Sequence, residues 1–250
     1  LCKFRRTDFA GDVPDPNEEQ RGVLALYPEY SWGAIAAWAW GQSIVLDILQ
    51  RLGYADMDKV IATGHSRGGQ AAMAAGICDE RFTLVATSAG GFGSCGTLRI
   101  RDPEGARGKV DYVSEVAAKQ FPHWFTRRYL DFAGNQDRMP FDGHTMLVLI
   151  APCPFLNTNA TEDEYNNGLS MEAGLRAGMV VYDWLGARDL CRIHWRPGTH
   201  AQGEEDWKAL LDFADEVFFS RPGTSHFDLW RYPEESITIP WTAPDRVDEK

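Results

Sequence analysis

The chain has 250 residues, 44% of them hydrophobic and 12% aromatic, which is enough to bury one substantial core. A net charge of −11 leaves no basic stripe to neutralise a phosphate backbone, and this argues against a nucleic-acid partner. No apolar run approaches the length of a membrane span, and no signal peptide is visible, although a start at Leu1 rather than Met fits a processed or cut chain.

Residues 2–8 read as a strand or strand remnant, and 11–30 as an acidic loop carrying Pro14, Pro16 and Pro28. Residues 31–52 predict a helix with Ser31 as N-cap and Gly53 closing it. Its apolar side runs through Ile35, Trp38, Val45, Ile48, Leu49 and Leu52. Short buried strands are expected at 59–63 and 83–87, with a small-residue helix over 69–76 between them. The stretch 99–107 mixes Arg and Lys with Asp102 and Glu104 and reads as a solvated loop. A short helix at 142–150, a strand at 155–159, a helix at 171–185 and a strand at 191–195 follow. The last helix, 204–219, is strongly amphipathic, with Trp207, Leu210, Leu211, Phe213, Ala214 and Phe218 on one face.

Alternating elements of this kind predict an α/β fold, a mostly parallel sheet with helices on both faces. The expected organisation is a catalytic domain over 1–220 and an irregular tail over 221–250 holding Trp230 and Trp241. Fewer than sixty residues precede the strand expected from Lys59, so the N-terminal strands of such a sheet are expected to be missing or reduced. The five cysteines, Cys2, Cys78, Cys95, Cys153 and Cys191, form no CxxC pair, and the six histidines take no HExxH spacing. Neither a zinc site nor a redox motif is therefore expected, while disulfides stay open.

The chemistry centres on Gly64-His65-Ser66-Arg67-Gly68, placed between the apolar run from Val60 to Thr63 and the helix from Gln70 to Gly76. A G-x-S-x-G sequence between strand and helix is the context of a nucleophile elbow, in which a sharp turn pushes the serine out of the sheet. The plain alternative is a glycine-rich turn whose serine caps the next helix. In an α/β-hydrolase the acid and then the histidine follow the nucleophile in chain order. His200 follows the strand 191–195 and precedes the last helix, the place of a general base, whereas His194 lies inside the strand and His226 in the tail. The acid is expected after the strand 155–159, where Glu162, Asp163 and Glu164 compete.

Longer stretches make the sequence more specific. Ser31-Trp32-Gly33-Ala34, Thr63-Gly64-His65-Ser66-Arg67, Phe121-Pro122-His123-Trp124-Phe125, Met139-Pro140-Phe141-Asp142-Gly143-His144 and Arg196-Pro197-Gly198-Thr199-His200 resemble carbohydrate esterase family 15, the glucuronoyl esterases. The resemblance covers roughly 31–219 and implies an α/β-hydrolase fold and a serine esterase, acting without a cofactor. It would cleave the ester between glucuronic acid on xylan and lignin alcohols, in a secreted or periplasmic setting. It implies Ser66 as nucleophile, His200 as base and Arg67 as oxyanion support through its backbone N–H and guanidinium. Many members carry a glutamate at the position of Ala89, which cannot serve; others use an aspartate matching Asp163. Of the implied sugar contacts, a lysine is replaced by Gln70 and a tryptophan by Tyr165, and Glu104 falls where a sugar-binding glutamate would lie. These departures keep one rival in view, a carboxylesterase for acetylated sugars, aryl esters or polyesters, and the short N-terminal part keeps another, a non-catalytic remnant of the fold.

Overall fold

The computed structural model describes residues 1–14, 22–100, 117–233, 239 and 241–245. In chain order its elements are α1 (Val23–Leu26), α2 (Ala34–Leu52), β1 (Ile61–His65), α3 (Arg67–Cys78), β2 (Leu84–Ser88) and α4 (Arg127–Leu130). They continue as α5 (Gly143–Ile150), β3 (Phe155–Ala160), α6 (Gly168–Trp184), β4 (Cys191–Arg196) and α7 (Glu204–Phe219). Among the described residues the strands form one sheet in the order β1-β2-β3-β4, every pair parallel. The register aligns His65 with Ser88, Ser88 with Thr158 and Thr158 with His194, so one row marks the C-terminal rim from which the functional loops leave.

Strand alternation splits the core into two layers. Val85, Phe155, Cys191 and Ile193 point into a cluster built by Met73 of α3, Leu147 and Ile150 of α5, and Met171, Leu175 and Tyr182 of α6. Leu84, Ala86 and Leu156 point the other way, onto Leu210, Phe213 and Ala214 of α7. Helices on both faces are what a parallel sheet needs, because each crossover must cover it, and β2 and β3 are buried along their whole length. Burying a side chain such as Phe213, with no exposed surface left, contributes about 2–3 kcal/mol. No helix of the described residues is long and apolar enough to cross a membrane, and all five cysteines are free.

Several expectations near the N-terminus are corrected. Residues 2–8 form no strand; Arg6–Asp8 is a single 3-10 turn, and Phe4 and Phe9 meet edge to face, 5.5 Å apart, beside Gly41 of α2. α2 starts after Gly33, not at Ser31, because the extended Gly33 backbone lies against the Trp124 carbonyl, where a Cβ would come within 2.2 Å. Its buried face is the small one, Ala34, Ala37, Trp38, Ala39 and Leu46, while Ile48 and Leu52 are half exposed. Alanines let α2 approach α3 closely, so shape complementarity overrides the larger apolar side chains.

The C-terminal tail has no regular element among its described residues, and it is tied down by polar contacts. Glu172 of α6, fully buried, accepts the backbone N–H groups of Arg231 at 3.0 Å and Tyr232 at 3.2 Å, and Trp241 Nε1 donates to the Ala177 carbonyl at 3.0 Å. Asp142 does comparable work at α5. It caps the helix with Thr145 in a capping box, and it accepts hydrogen bonds from Leu98 N, Gly143 N, Thr97 Oγ1 and Arg99 Nη1. Asp142→Ala strips the acceptor from all four donors, three of them in buried hydrogen bonds, so it is expected to cost about 2–4 kcal/mol, read as a lower urea midpoint at unchanged slope. A midpoint within 0.5 kcal/mol equivalent, on the order of a surface substitution, would refute that weight.

Candidate active site

The turn after β1 carries the first group. Ser66 sits at φ 55°, ψ −124°, the left-handed side of the map that a serine adopts only under constraint. The constraint is a backbone contact: Gly64 and Gly68 lie so close that a Cβ on Gly64 would meet the Gly68 carbonyl oxygen at 2.2 Å. Ser66 N donates to Ser88 O at 2.7 Å, and Ser66 O accepts the first helical bonds of α3 from Gly69 N and Gln70 N. The Arg67 N–H, in the first turn of α3, has no intrahelical partner by geometry and points where the helix dipole is positive. That is the arrangement an oxyanion donor requires.

The loops after β3 and β4 bring the other groups. His200 Nδ1 and Asp163 Oδ2 lie 2.8 Å apart, with the Asp163 side chain 4% exposed. With Nδ1–H donated to the carboxylate, Nε2 of His200 is the free lone pair. The ring is held between two others, His65 at 4.8 Å and Tyr165 at 4.9 Å between centroids. Because His65 adjoins Ser66, this contact closes the elbow onto the histidine loop. Among the described residues no hydrogen bond joins the Ser66 hydroxyl to His200, a contact that in esterases tightens when substrate arrives.

The histidine loop is itself built around a buried cation. Arg196, 8% exposed, donates to Asp206 Oδ2 at 2.6 Å, to Pro197 O at 3.0 Å, to Thr199 O at 3.3 Å and to Ala201 O. Those carbonyls bracket His200. Asp206 in turn accepts Gly203 N at the start of α7, so helix and loop share one ion pair.

Of the three competing carboxylates, Glu162 and Glu164 are exposed, and Asp163 alone reaches the imidazole. Burial pushes the Asp163 pKa up, but hydrogen bonds from His200, Asn166 Nδ2 at 2.7 Å and Tyr165 N at 2.8 Å outweigh it and hold the carboxyl below the usual range. Burial also lowers the pKa of His65, with the neighbouring His200 adding to the effect. Among the described residues no group of three His, Cys, Asp or Glu side chains could hold a metal ion.

The expected sugar contacts fare differently. Tyr165 is 53% exposed with its ring against His200, open to a ligand. Gln70 is 6% exposed and packs beneath Gly93. Its Oε1 finds no hydrogen-bond partner among the described residues. Glu104 lies outside the described residues. Two participants escaped the sequence reading. Asn166 donates to Asp163 and, at 3.1 Å, to the Ala89 carbonyl, and Asp12 receives Arg67 Nη1 at 2.8 Å. A polar residue three after the acid was a readable signal for the first; nothing local marked the second.

Asp163→Asn is expected to cut kcat by about 10³–10⁴, because the amide cannot stabilise the imidazolium, whereas Glu162→Gln and Glu164→Gln retain most activity. The carboxyl titrates lower in the folded chain than unfolded, so its stabilising contribution is present above about pH 4 and fades as pH falls through the folded value. Urea midpoints across that acid range are accordingly expected to fall less steeply in Asp163→Asn. Collapse of either glutamine variant, with Asp163→Asn near wild type, would reassign the acid.

Residues 1–186 match the family model described as glucuronyl esterase, fungi. The chain is 32% identical over 233 residues to a carbohydrate esterase of an unknown prokaryotic organism, covering 84% of this chain and 52% of that protein. It is 30% identical over 186 residues to 4-O-methyl-glucuronoyl methylesterase 1 of Wolfiporia cocos, covering 71% of this chain and 45% of that one. The chain thus spans about half the length of the curated relatives it matches. Among solved structures, a carbohydrate esterase family 15 glucuronoyl esterase from Caldicellulosiruptor kristjansonii superposes with TM-score 0.82 at 29% identity, over 96% of this chain and 65% of that one. A structure described as a promiscuous esterase of the same family, from a marine bacterial metagenome, superposes with TM-score 0.70 at 29% identity, over 84% and 55%.

Proposed function

The chain belongs to the glucuronoyl esterase family, with its α/β-hydrolase fold, and on that premise we propose that it is a serine carboxylic-ester hydrolase acting on esters of glucuronic acid. The observation that carries the reading is the Asp163–His200 pair, 2.8 Å apart, facing the strained turn of Ser66 across the rim of a parallel sheet. In this reading Ser66 Oγ attacks the ester carbonyl while His200 Nε2 takes its proton, and Asp163 stabilises the resulting imidazolium. The tetrahedral oxyanion is met by Arg67, through its backbone N–H and its cation. Collapse expels the alcohol, which takes the proton from His200, and leaves a glucuronoyl ester on Ser66. Water, deprotonated by His200, then releases the acid and restores the serine.

Tyr165 supplies a flat exposed face beside the base, suited to the sugar ring, as the family's tryptophan would be. Gln70 and Ala89 favour a second reading within the same chemistry, a carboxylesterase of broader specificity. The neutral and buried Gln70 brings no cation toward an acidic sugar. The relative described as promiscuous fits that reading. The substrate is a small-molecule or polysaccharide ester, and the compartment, by family likeness, is secreted or periplasmic. The domain proper is proposed to be residues 1–220, with 221–250 as its C-terminal tail.

A fluorophosphonate probe is expected to label Ser66, and Ser66→Ala is expected to lose both labelling and ester turnover with an unchanged melting curve. Wild-type turnover in that variant would remove the elbow from the mechanism. Hydrolysis of a methyl glucuronate ester well above that of a p-nitrophenyl acyl ester supports the glucuronoyl reading; the reverse order supports the broader esterase.

A further inference from the structure

Arg67 follows the nucleophile directly, and its side chain is held more firmly than an arginine that is 32% exposed usually is. Nη1 donates to Asp12 Oδ2 at 2.8 Å. The guanidinium carbon lies 4.6 Å from the centre of the Trp124 ring and 5.2 Å from that of Phe121, and those two rings are stacked parallel at 4.0 Å. Trp124 is in turn fixed by its own Nε1 donating to Asp12 Oδ1 at 3.0 Å. One carboxylate therefore holds both the cation and the platform beneath it. Among the described residues Nη1 is the only Arg67 side-chain nitrogen with a hydrogen-bond acceptor, so Nε and Nη2 keep their donors for something else.

Charge counting sharpens the point. Arg6 Nη2 also donates to Asp12 Oδ2, and His123 Nε2 lies 3.4 Å from Oδ1. An isolated Asp12–Arg67 pair would be neutral and a poor partner for a forming oxyanion. With Arg6 sharing the carboxylate, Arg6 and Arg67 face one anion among the described residues, and this cluster carries a positive charge beside the nucleophile in a chain of net charge −11. Although burial opposes its ionisation, these donors hold the Asp12 carboxyl well below the usual carboxylate range, so the clamp is charged at any working pH.

We propose that Asp12 is a positioning residue of the esterase: with Trp124 it fixes the Arg67 guanidinium in the orientation that serves the oxyanion, while Arg6 keeps that guanidinium from being neutralised. The proposal rests on the esterase reading above, and probe labelling of Ser66 and wild-type turnover test that reading separately. Asp12→Asn keeps the shape and the acceptor at one oxygen but loses the charge and half the fork. The expected result is a fall in kcat of roughly 30-fold with KM within about twofold, since only the transition state carries the oxyanion. In an Arg67→Ala background the same substitution is expected to change kcat by less than about twofold, because its effect passes through Arg67. An equal loss in both backgrounds, or an unchanged kcat in the single variant, overturns the proposal. Should Asp12→Asn fail to fold, Arg6→Gln leaves the Asp12–Arg67 and Asp12–Trp124 bonds in place. It is expected to lower kcat about three- to fivefold at unchanged KM and unchanged melting temperature, and wild-type kcat there overturns it equally.

Discussion

Everything at the rim depends on the closeness of two backbone segments, Gly64 at the end of β1 and Gly68 at the start of α3. Any side chain on Gly64 would occupy the space of the Gly68 carbonyl, so only with that gap open can the chain reverse within the residues between. Ser66 is then forced to positive φ, a cost of about 1–3 kcal/mol that the flanking structure must offset. It is offset by ordinary means. Ser66 N is satisfied by Ser88 O across the β1–β2 step, Ser66 O opens the α3 hydrogen-bond ladder, and Ala71, Ala72 and Met73 bury the helix. The strain thus sits where an exposed serine and an unpaired helical N–H are useful, and the fold stabilises it from both sides.

The other groups reach that turn because a parallel sheet sends all its βα loops to one edge. β3 and β4 pair through Ala160 and Arg196, and the loops beyond stay joined by Thr161 N to Arg196 O and Glu162 N to Gly198 O, both at 2.9 Å. The acid loop and the histidine loop are therefore continued strand partners before they separate. Arg196 then turns the histidine loop by gathering its carbonyls around one guanidinium. A buried cation of this kind carries a large desolvation cost, and Asp206 with three carbonyls supplies the compensation. Such an arrangement fixes one loop shape, which suits the role proposed for His200.

Much of this was legible in the chain. Helix α7 was read to the residue, because its apolar face repeats at helical spacing and its acidic first turn marks the start. The elbow, His200 and the region of the acid followed from element order, and the structure places each at the sheet rim. What was not legible has a common cause: it depends on partners remote in sequence. Asp12 meets Arg67 across 55 positions and Trp124 across 112, and nothing around Asp12 announces either. The start of α2 was misread because Ser31 looks like a cap locally, while the true boundary is set by Gly33 lying on the Trp124 backbone. Gln70 was read only by likeness to a sugar-contacting lysine, and its packing beneath the turn at Gly93 depends on the tertiary path of 91–93.

The placement of the acid shows how one site tolerates two solutions. Ser88 at the end of β2 pairs in register with Thr158 of β3, and Ala89 N continues the ladder to Thr158 O at 2.8 Å. Position 89 and the acid loop are hence neighbours by construction, joined again where Asn166 Nδ2 bridges the Ala89 carbonyl and the Asp163 carboxylate. A carboxylate leaving the sheet from either strand could approach the same imidazole nitrogen. With alanine at 89, held at φ 49°, the β2 exit contributes only its backbone, and the hydrogen-bonding capacity of that carbonyl is spent on steadying Asn166. Asn166 in turn donates to Asp163 through both its side chain and its backbone N–H at 3.3 Å, so the loop that carries the acid also carries the donors that keep it ionised. The β2 exit thereby acts on the imidazole indirectly, through an amide and a carboxylate of the adjacent loop.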